Sequence, residues 1–297
     1  MPDRNPIVAG PFYPGNSATL HKVVLELLRK PHGSATGSPT AHHPLISPEL
    51  AVSEHPVDAL MVMLPHAGYV YSGRVAGSTL AQANLPKVLF LLGPNHTGHG
   101  ASIAVWPKGH WLTPLGPVPV HEAASQALVD SGAGFTANRI AHEGEHSLEV
   151  LLPLLQVSVP DLSIVPVTVA ERSPTILAQA GAALAAVMLG LQRSGVASAI
   201  VLSSDMSHYV SQAQAERLDS LALDKVRTLD PDGLYATVRS NNITMCGVLP
   251  AIIALHACRA MGSTEALLAE YDTSGTASGD HAHVVGYAGM IVPRAKK

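Results

Sequence analysis

Short apolar runs punctuate this chain, and three of them open directly onto histidine motifs. Leu60–Leu64 leads into Pro65-His66-Ala67-Gly68-Tyr69, Val88–Leu92 into Gly93-Pro94-Asn95-His96, and Ala199–Leu202 into Ser203-Ser204-Asp205-Met206-Ser207-His208. Unbroken apolar runs of this length are expected of strands covered on both faces. If the three belong to one mainly parallel sheet, their carboxyl ends converge on one edge. That edge is where open α/β sheets place their ligands.

Between these runs the spacing changes from continuous to helical. Leu20, Val23, Val24 and Leu27 predict a helix that starts after Asn16 or Ser17, both good N-caps, and stops at Pro31. Further helices are expected over Arg74–Ala83, Glu122–Ser131, Pro174–Gln192, Ala213–Thr228, Pro231–Arg239 and Val248–Met261. Strands are expected at Lys87–Leu92, Ser102–Trp106, Leu162–Val169 and His283–Val292. Trp111–Gly116 reads as a turn-rich loop. The segment from Gly144 reads as a helix opening, with Leu148, Leu151, Leu152 and Leu155 on one face and a kink or early stop at Pro153. Strands alternating with helices predict a three-layer α/β/α architecture around a mainly parallel or mixed sheet. No internal repeat or composition shift marks a second domain, so residues 1–297 read as one unit. The Pro/Gly/Ser/Thr-rich stretch 31–56 reads as a loop insertion, and its four histidines as ordinary loop residues.

Hydrophobic residues make up 47% of the chain and charged residues only 13%, enough apolar material for a large buried core. The net charge of −4 and the lack of a dense basic block argue against a nucleic-acid surface. Two cysteines in 297 residues argue against a disulfide framework and fit a reducing cytoplasm. The first residues do not read as a signal peptide. The apolar stretch Ile176–Leu191 falls short of a bilayer span and reads as a buried helix.

The candidate chemistry sits at the ends of the apolar runs. His66 leaves its strand through Pro65, and Ala67-Gly68 leaves room beside the ring. A neutral imidazole so placed is a good ligand for iron, copper or zinc; the ordinary alternative is a histidine bonded to a neighbouring loop. His96 has the same context, with His99 close by. Asp205 and His208, three apart, would share one side of a helical turn, so the carboxylate could set the imidazole's tautomer; the alternative is an N-cap with a surface histidine. Cys246 precedes the Val248–Met261 helix, whose dipole should lower the thiol pKa and favour a thiolate, as ligand or as nucleophile. Cys258, among Ile252, Leu255 and Met261, reads as core. Glu145 and His146 are polar groups within reach of the pocket.

Taken in order, these motifs resemble those of the MEMO family, whose bacterial and archaeal members are called AmmeMemoRadiSam system protein B. The similarity also takes in Ala9-Gly10-Pro11-Phe12-Tyr13-Pro14, Thr113-Pro114-Leu115-Gly116, Glu145-His146-Ser147-Leu148-Glu149, Met245-Cys246-Gly247 and Val285-Gly286-Tyr287-Ala288. The resemblance implies a fold like that of the class III extradiol dioxygenases, which hold non-haem iron(II) with two histidines and a carboxylate. It implies a metal set of His66, His96 and Cys246, with Asp205 and His208 as the catalytic pair. Glu145, His146 and Tyr69 are the expected substrate-binding residues. Gly247-Val248-Leu249-Pro250 departs from the polar residue and histidine that often follow the family's glycine.

A thiolate in place of a carboxylate makes the site softer, so copper competes with iron(II). The expectation is a metal-dependent oxidoreductase or dioxygenase-like protein acting on a small molecule in the cytoplasm, away from nucleic acid and membrane. The alternative is an accessory component working with a radical S-adenosylmethionine protein and an AMMECR-type protein. A third reading makes Cys246 a nucleophile with His208 as its base.

Overall fold

The computed structural model describes residues 3–29, 47, 50 and 55–295; apart from its final two residues, the stretch 31–56 lies almost wholly outside them. The elements, in chain order, are α1 (Ser17–Leu27), β1 (Val57–Leu64), α2 (Tyr69–Ala81), β2 (Ala83–Asn84), β3 (Val88–Pro94), β4 (Ile103–Val105), β5 (His110–Thr113) and β6 (Gly116–Pro119). They continue with α3 (Glu122–Asp130), β7 (Thr136–Ala137), α4 (Ile140–Glu143), a 3₁₀ turn (Glu149–Leu151), α5 (Leu152–Ser158), β8 (Ser163–Val169), α6 (Pro174–Arg193) and β9 (Ser198–Ser203). The last are β10 (His208–Val210), α7 (Gln212–Arg227), α8 (Pro231–Ser240), α9 (Val248–Ala260), β11 (Leu267–Thr273), α10 (Gly275–Ser278) and β12 (Val284–Pro293).

The central sheet is mixed, in the order β10-β12-β1-β9-β3-β8-β4-β7, with β11 on β12 and β2 on β1. Its middle, β1-β9-β3-β8, is parallel. Side chains there alternate between two cores. Phe90, Leu92, Ile200, Leu202, Val165 and Val167 face one side, and Leu89, Leu91, Ala199, Val201 and Ile164 the other, as a period of two requires. The first core is covered by α6, α7, α8 and α9 through Leu184, Leu218, Leu234 and Ile253. The second is covered by α1, α2 and α5 through Leu20, Ala76 and Leu154. The expected three layers are present.

The helix signals act as their chemistry dictates. Asn16 caps α1 by accepting from the Thr19 N–H at 3.0 Å, and Ser173 and Asp230 cap α6 and α8 ahead of first-turn prolines. Helix α6 spans 20 residues and is apolar enough to cross a membrane by length and composition; its face of Leu177, Ala180, Leu184 and Met188 is buried in the core.

Three expectations need correction. Helix α2 begins at Tyr69, five residues before Arg74, because Gly68 supplies its N-cap. Trp111–Gly116 is part of an antiparallel hairpin, β5–β6. Pro153 stands in the first turn of α5 and starts that helix where a kink or stop was expected. Tyr271–Thr273, which the sequence analysis left unassigned, closes strand β11, which pairs with β12.

Candidate metal centre

Strands β1, β9 and β3 are adjacent and parallel, so their carboxyl ends bring His66, the Ser203–His208 loop and His96 to one edge. Cys246 arrives from the other direction, in the turn before α9. Gly247 makes that approach feasible. A Cβ there would stand 2.4 Å from the Ser204 Cβ and 2.6 Å from the Ser203 carbonyl oxygen, and the Gly247 N–H donates to Ser204 Oγ at 3.0 Å.

One donor atom from each of His66, His96 and Cys246 lies within 4.8 Å of the other two. The Cys246 sulfur is 3.6 Å from His66 Nε2 and accepts the Asp205 N–H at 3.1 Å. His66 is buried, whereas about a third of the His96 side chain is exposed (35%). The pocket therefore has a dry floor and an open rim.

Hydrogen bonding fixes the state of both imidazoles. The single hydroxyl hydrogen of Ser203 goes to the Ser147 carbonyl at 2.7 Å. In its 2.8 Å contact with His66 Nδ1, the serine oxygen must then accept. Nδ1 carries the hydrogen, and Nε2 turns its lone pair toward Cys246. His96 Nδ1 lies 2.9 Å from Glu145 Oε1, so a hydrogen sits there and Nε2 is again the free donor. This carboxylate–histidine pairing is the arrangement that orients imidazole ligands. Glu145 Oε2 also accepts the His96 N–H, and Oε1 the Ser147 N–H at 2.9 Å. Gly93 lets this segment lie on the end of β3, since a Cβ would come 2.7 Å from a Leu148 methyl and 2.9 Å from Ser147 Oγ.

The electrostatics follow from these contacts. Burial pulls His66 down to about 4, opposed by Asp205. Burial also acts against charge on His96, but the bond and charge of Glu145 outweigh it and hold that imidazole above its usual value. Burial works to raise Glu145, yet its bonds to His96 bring it to about 2. The expectation of an acidic Cys246 thiol is overturned. Burial, reinforced by the Asp205 carboxylate, pushes it well above the ordinary range. Without a cation beside it, the sulfur stays protonated.

The expected catalytic pair is separated. Residues 205–208 form no helical turn: Asp205 lies in the loop after β9, and His208 begins β10. Asp205 Oδ1 accepts the His66 N–H at 2.8 Å, and its Oδ2 is 4.0 Å from His66 Nε2. His208 is held by Thr244, through its N–H at 2.7 Å and Nδ1 at 3.0 Å. The loop between them is anchored by Asp219, which accepts the Ser207 N–H at 3.0 Å and the Tyr271 hydroxyl at 2.8 Å.

His146 stacks on His96 (5.0 Å between centroids, 18° between planes) and stands 5.6 Å from the His66 ring. Glu145 is buried beneath it. Tyr69 is buried too, and its hydroxyl donates to the Val150 carbonyl at 2.9 Å. That bond ties it to the scaffold under the pocket. Ser203, Ser147, Thr244 and Phe12, whose ring packs 5.1 Å from His146, have site roles that the sequence analysis did not assign. For Ser203, the signal was a polar residue closing an apolar strand directly opposite a histidine motif.

The layers, the mixed sheet and the three convergent donors define an α/β protein with a two-histidine, one-cysteine pocket at the sheet edge. A Memo-like protein family model matches residues 4–291, and the chain belongs to that family. It is 36% identical over 296 residues to MEMO1 family protein MK0963 of Methanopyrus kandleri, covering 98% of this chain and 99% of that protein. It is 35% identical over 293 residues to a MEMO1 family protein of Thermotoga petrophila, covering 97% and 99%. A crystal structure of protein JW3007 from Escherichia coli K12 is similar with a TM-score of 0.49 at 15% identity, covering 77% of this chain and 98% of that one.

Proposed function

We propose that this protein holds one iron(II) or copper ion through His66, His96 and Cys246 and uses it in redox or oxygenase-type chemistry on a small molecule. One observation carries the reading: two imidazoles, each with Nδ1–H already committed to Ser203 or Glu145, and a thiol have their donor atoms within 4.8 Å of one another. Two borderline nitrogens and a soft sulfur suit iron(II), copper or zinc and disfavour magnesium or calcium. When bound, the ion would supply a Lewis-acidic, redox-active centre and draw the thiol proton off Cys246.

The chain's own residues account for the remaining roles. The open rim beside His96 admits a small molecule. His146, half-buried on that rim, presents a flat imidazole face to orient it. The Asp205 carboxylate borders His66 and Cys246 and is placed to accept a proton. His208 presents Nδ1 to the carbonyl of Thr244, two residues before Cys246, and its Nε2 would be the second proton acceptor. The nucleophile reading fares worse. Cys246 contacts Asp205 and His66, His208 is turned to Thr244, and burial disfavours a free thiolate.

The test is metal content after oxygen-free purification without a metal-binding tag. About one iron or copper per chain is expected in the wild type, lost in Cys246→Ser. No metal in either protein, even after iron(II) or copper(I) is added, would overturn the proposal.

A further inference from the structure

Resting on the metal-centre reading, we infer that Arg4 is a positioning residue of that centre, acting through the segment that orients both histidine ligands. The segment is Glu145-His146-Ser147. Glu145 holds His96 at N–H and Nδ1, and the Ser147 carbonyl fixes the Ser203 hydroxyl that in turn fixes His66. Two ligands on two different strands are thus aimed from three consecutive residues.

Arg4 clamps this segment from behind. Its guanidinium is buried and donates through Nη2 to the Glu145 carbonyl, through Nε to the His142 carbonyl at 2.9 Å, and through Nη1 to the Glu149 carboxylate at 2.7 Å. Its Cζ lies over the Trp111 ring, 4.2 Å from the centroid. Glu149, fully buried, also accepts the N–H groups of Ile7 and Val8 and the Tyr13 hydroxyl, each at about 2.9 Å. The same strap reaches the other ligand loop: the Phe12 carbonyl accepts the Tyr69 N–H at 2.8 Å, three residues after His66. Residues 4–13 therefore brace both ligand-bearing segments without supplying a ligand. A planar fork with three separate acceptors is a task for arginine; a lysine ammonium cannot span them with one rigid geometry.

The experiment is an anaerobic titration with cobalt(II) as probe, following affinity and the visible d–d bands, with circular dichroism to verify the fold. Arg4→Ala should weaken cobalt binding about 10- to 100-fold, as loss of support behind a ligand does, and should shift the d–d bands. Arg4→Lys should fall in between. A folded Arg4→Ala with wild-type affinity and bands overturns the inference while leaving the metal centre intact. If Arg4→Ala does not fold, Arg4→Lys decides: altered affinity or bands support the inference, and wild-type behaviour overturns it. Failure of the wild type to bind cobalt overturns the metal-centre reading, and this inference with it.

Discussion

Glu145 and His96 are joined twice, by the carboxylate's contact with the imidazole Nδ1 and by the bond it accepts from the backbone N–H. The first sets the tautomer. The second fixes where the ring starts from the backbone. A buried carboxylate would normally be costly; here it is satisfied by His96 and Ser147 and remains ionised far into the acid range. In the proposed metal centre it is the residue through which pH and metal affinity would be coupled.

Glu145→Gln should therefore weaken metal binding about 10- to 100-fold and let the His96 pKa fall. In the apo wild type, Glu145 keeps the imidazole protonated to higher pH than usual, so metal affinity should drop as pH falls through that raised value. In the variant the drop should begin at lower pH. Histidine NMR titrations with and without zinc(II) measure both quantities, and an unchanged His96 titration would refute the coupling.

The two cysteines should behave differently. Cys246→Ser should abolish thiolate-to-metal charge transfer in the cobalt(II) protein, while Cys258→Ser should leave the spectrum unchanged. Cys258 lies fully buried in α9, 3.9 Å from the Met61 sulfur, and its replacement should register only as a loss of stability of about 1 kcal/mol. Absorption spectra and denaturant melts of the two variants separate these outcomes.

Gly247→Ala should be among the most damaging small changes near the pocket. The added methyl meets Ser204 and the Ser203 carbonyl at under 3 Å, so the turn carrying Cys246 must move outward. An overpacking cost of about 1–3 kcal/mol and weakened metal binding are expected together. A crystal structure or a cobalt titration showing an undisplaced Cys246 would contradict this.

His142 gives a handle on acid stability. It is buried at the edges of Trp106 and Trp111, with Nε2 on the Ala104 carbonyl, and burial lowers its pKa from 6.5 to about 3. The native state thus holds it neutral, whereas the unfolded chain takes up its proton below about pH 6.5. Its stabilising effect is complete above pH 6.5 and is lost as pH falls toward 3, at up to about 1.4 kcal/mol per pH unit. His142→Leu should flatten that acid limb in urea melts collected between pH 4 and pH 7. The same slope in both proteins would rule His142 out as its source.

Much of this was readable in the chain. The strands β1, β3 and β9 announced themselves as apolar runs because both faces are covered, and parallel pairing then brought their histidine motifs together. Strand β11 was harder to read: Glu270 and Asp272 interrupt its apolar pattern, and their burial is supported by partners from elsewhere, Arg74 pairing with both, Ser78 donating to Glu270 and Thr276 to Asp272. Residues 205–208 looked helical from spacing alone, since nothing local reveals that Gly286 exchanges backbone bonds with Met206 and Ser207. The thiol of Cys246 misled for a similar reason. Its place before a helix is local, but the Asp205 carboxylate and the surrounding burial arrive through tertiary structure.

Strand β12 carries a consequence for how the protein is made. It lies between β1 on one flank and β11 on the other, and it holds the Asp205–His208 loop through Gly286. While a nascent chain still lacks this late segment, β1 has an unpaired edge and the loop has no anchor, although His66, His96 and Cys246 have all been synthesised. The pocket is thus completed by a strand that follows all three candidate ligands in the chain, and contacts of such long sequence separation form slowly. In the proposed metal centre, an ion captured by the three ligands before β12 pairs would meet an unfinished site, so loading is expected to follow the pairing of that strand.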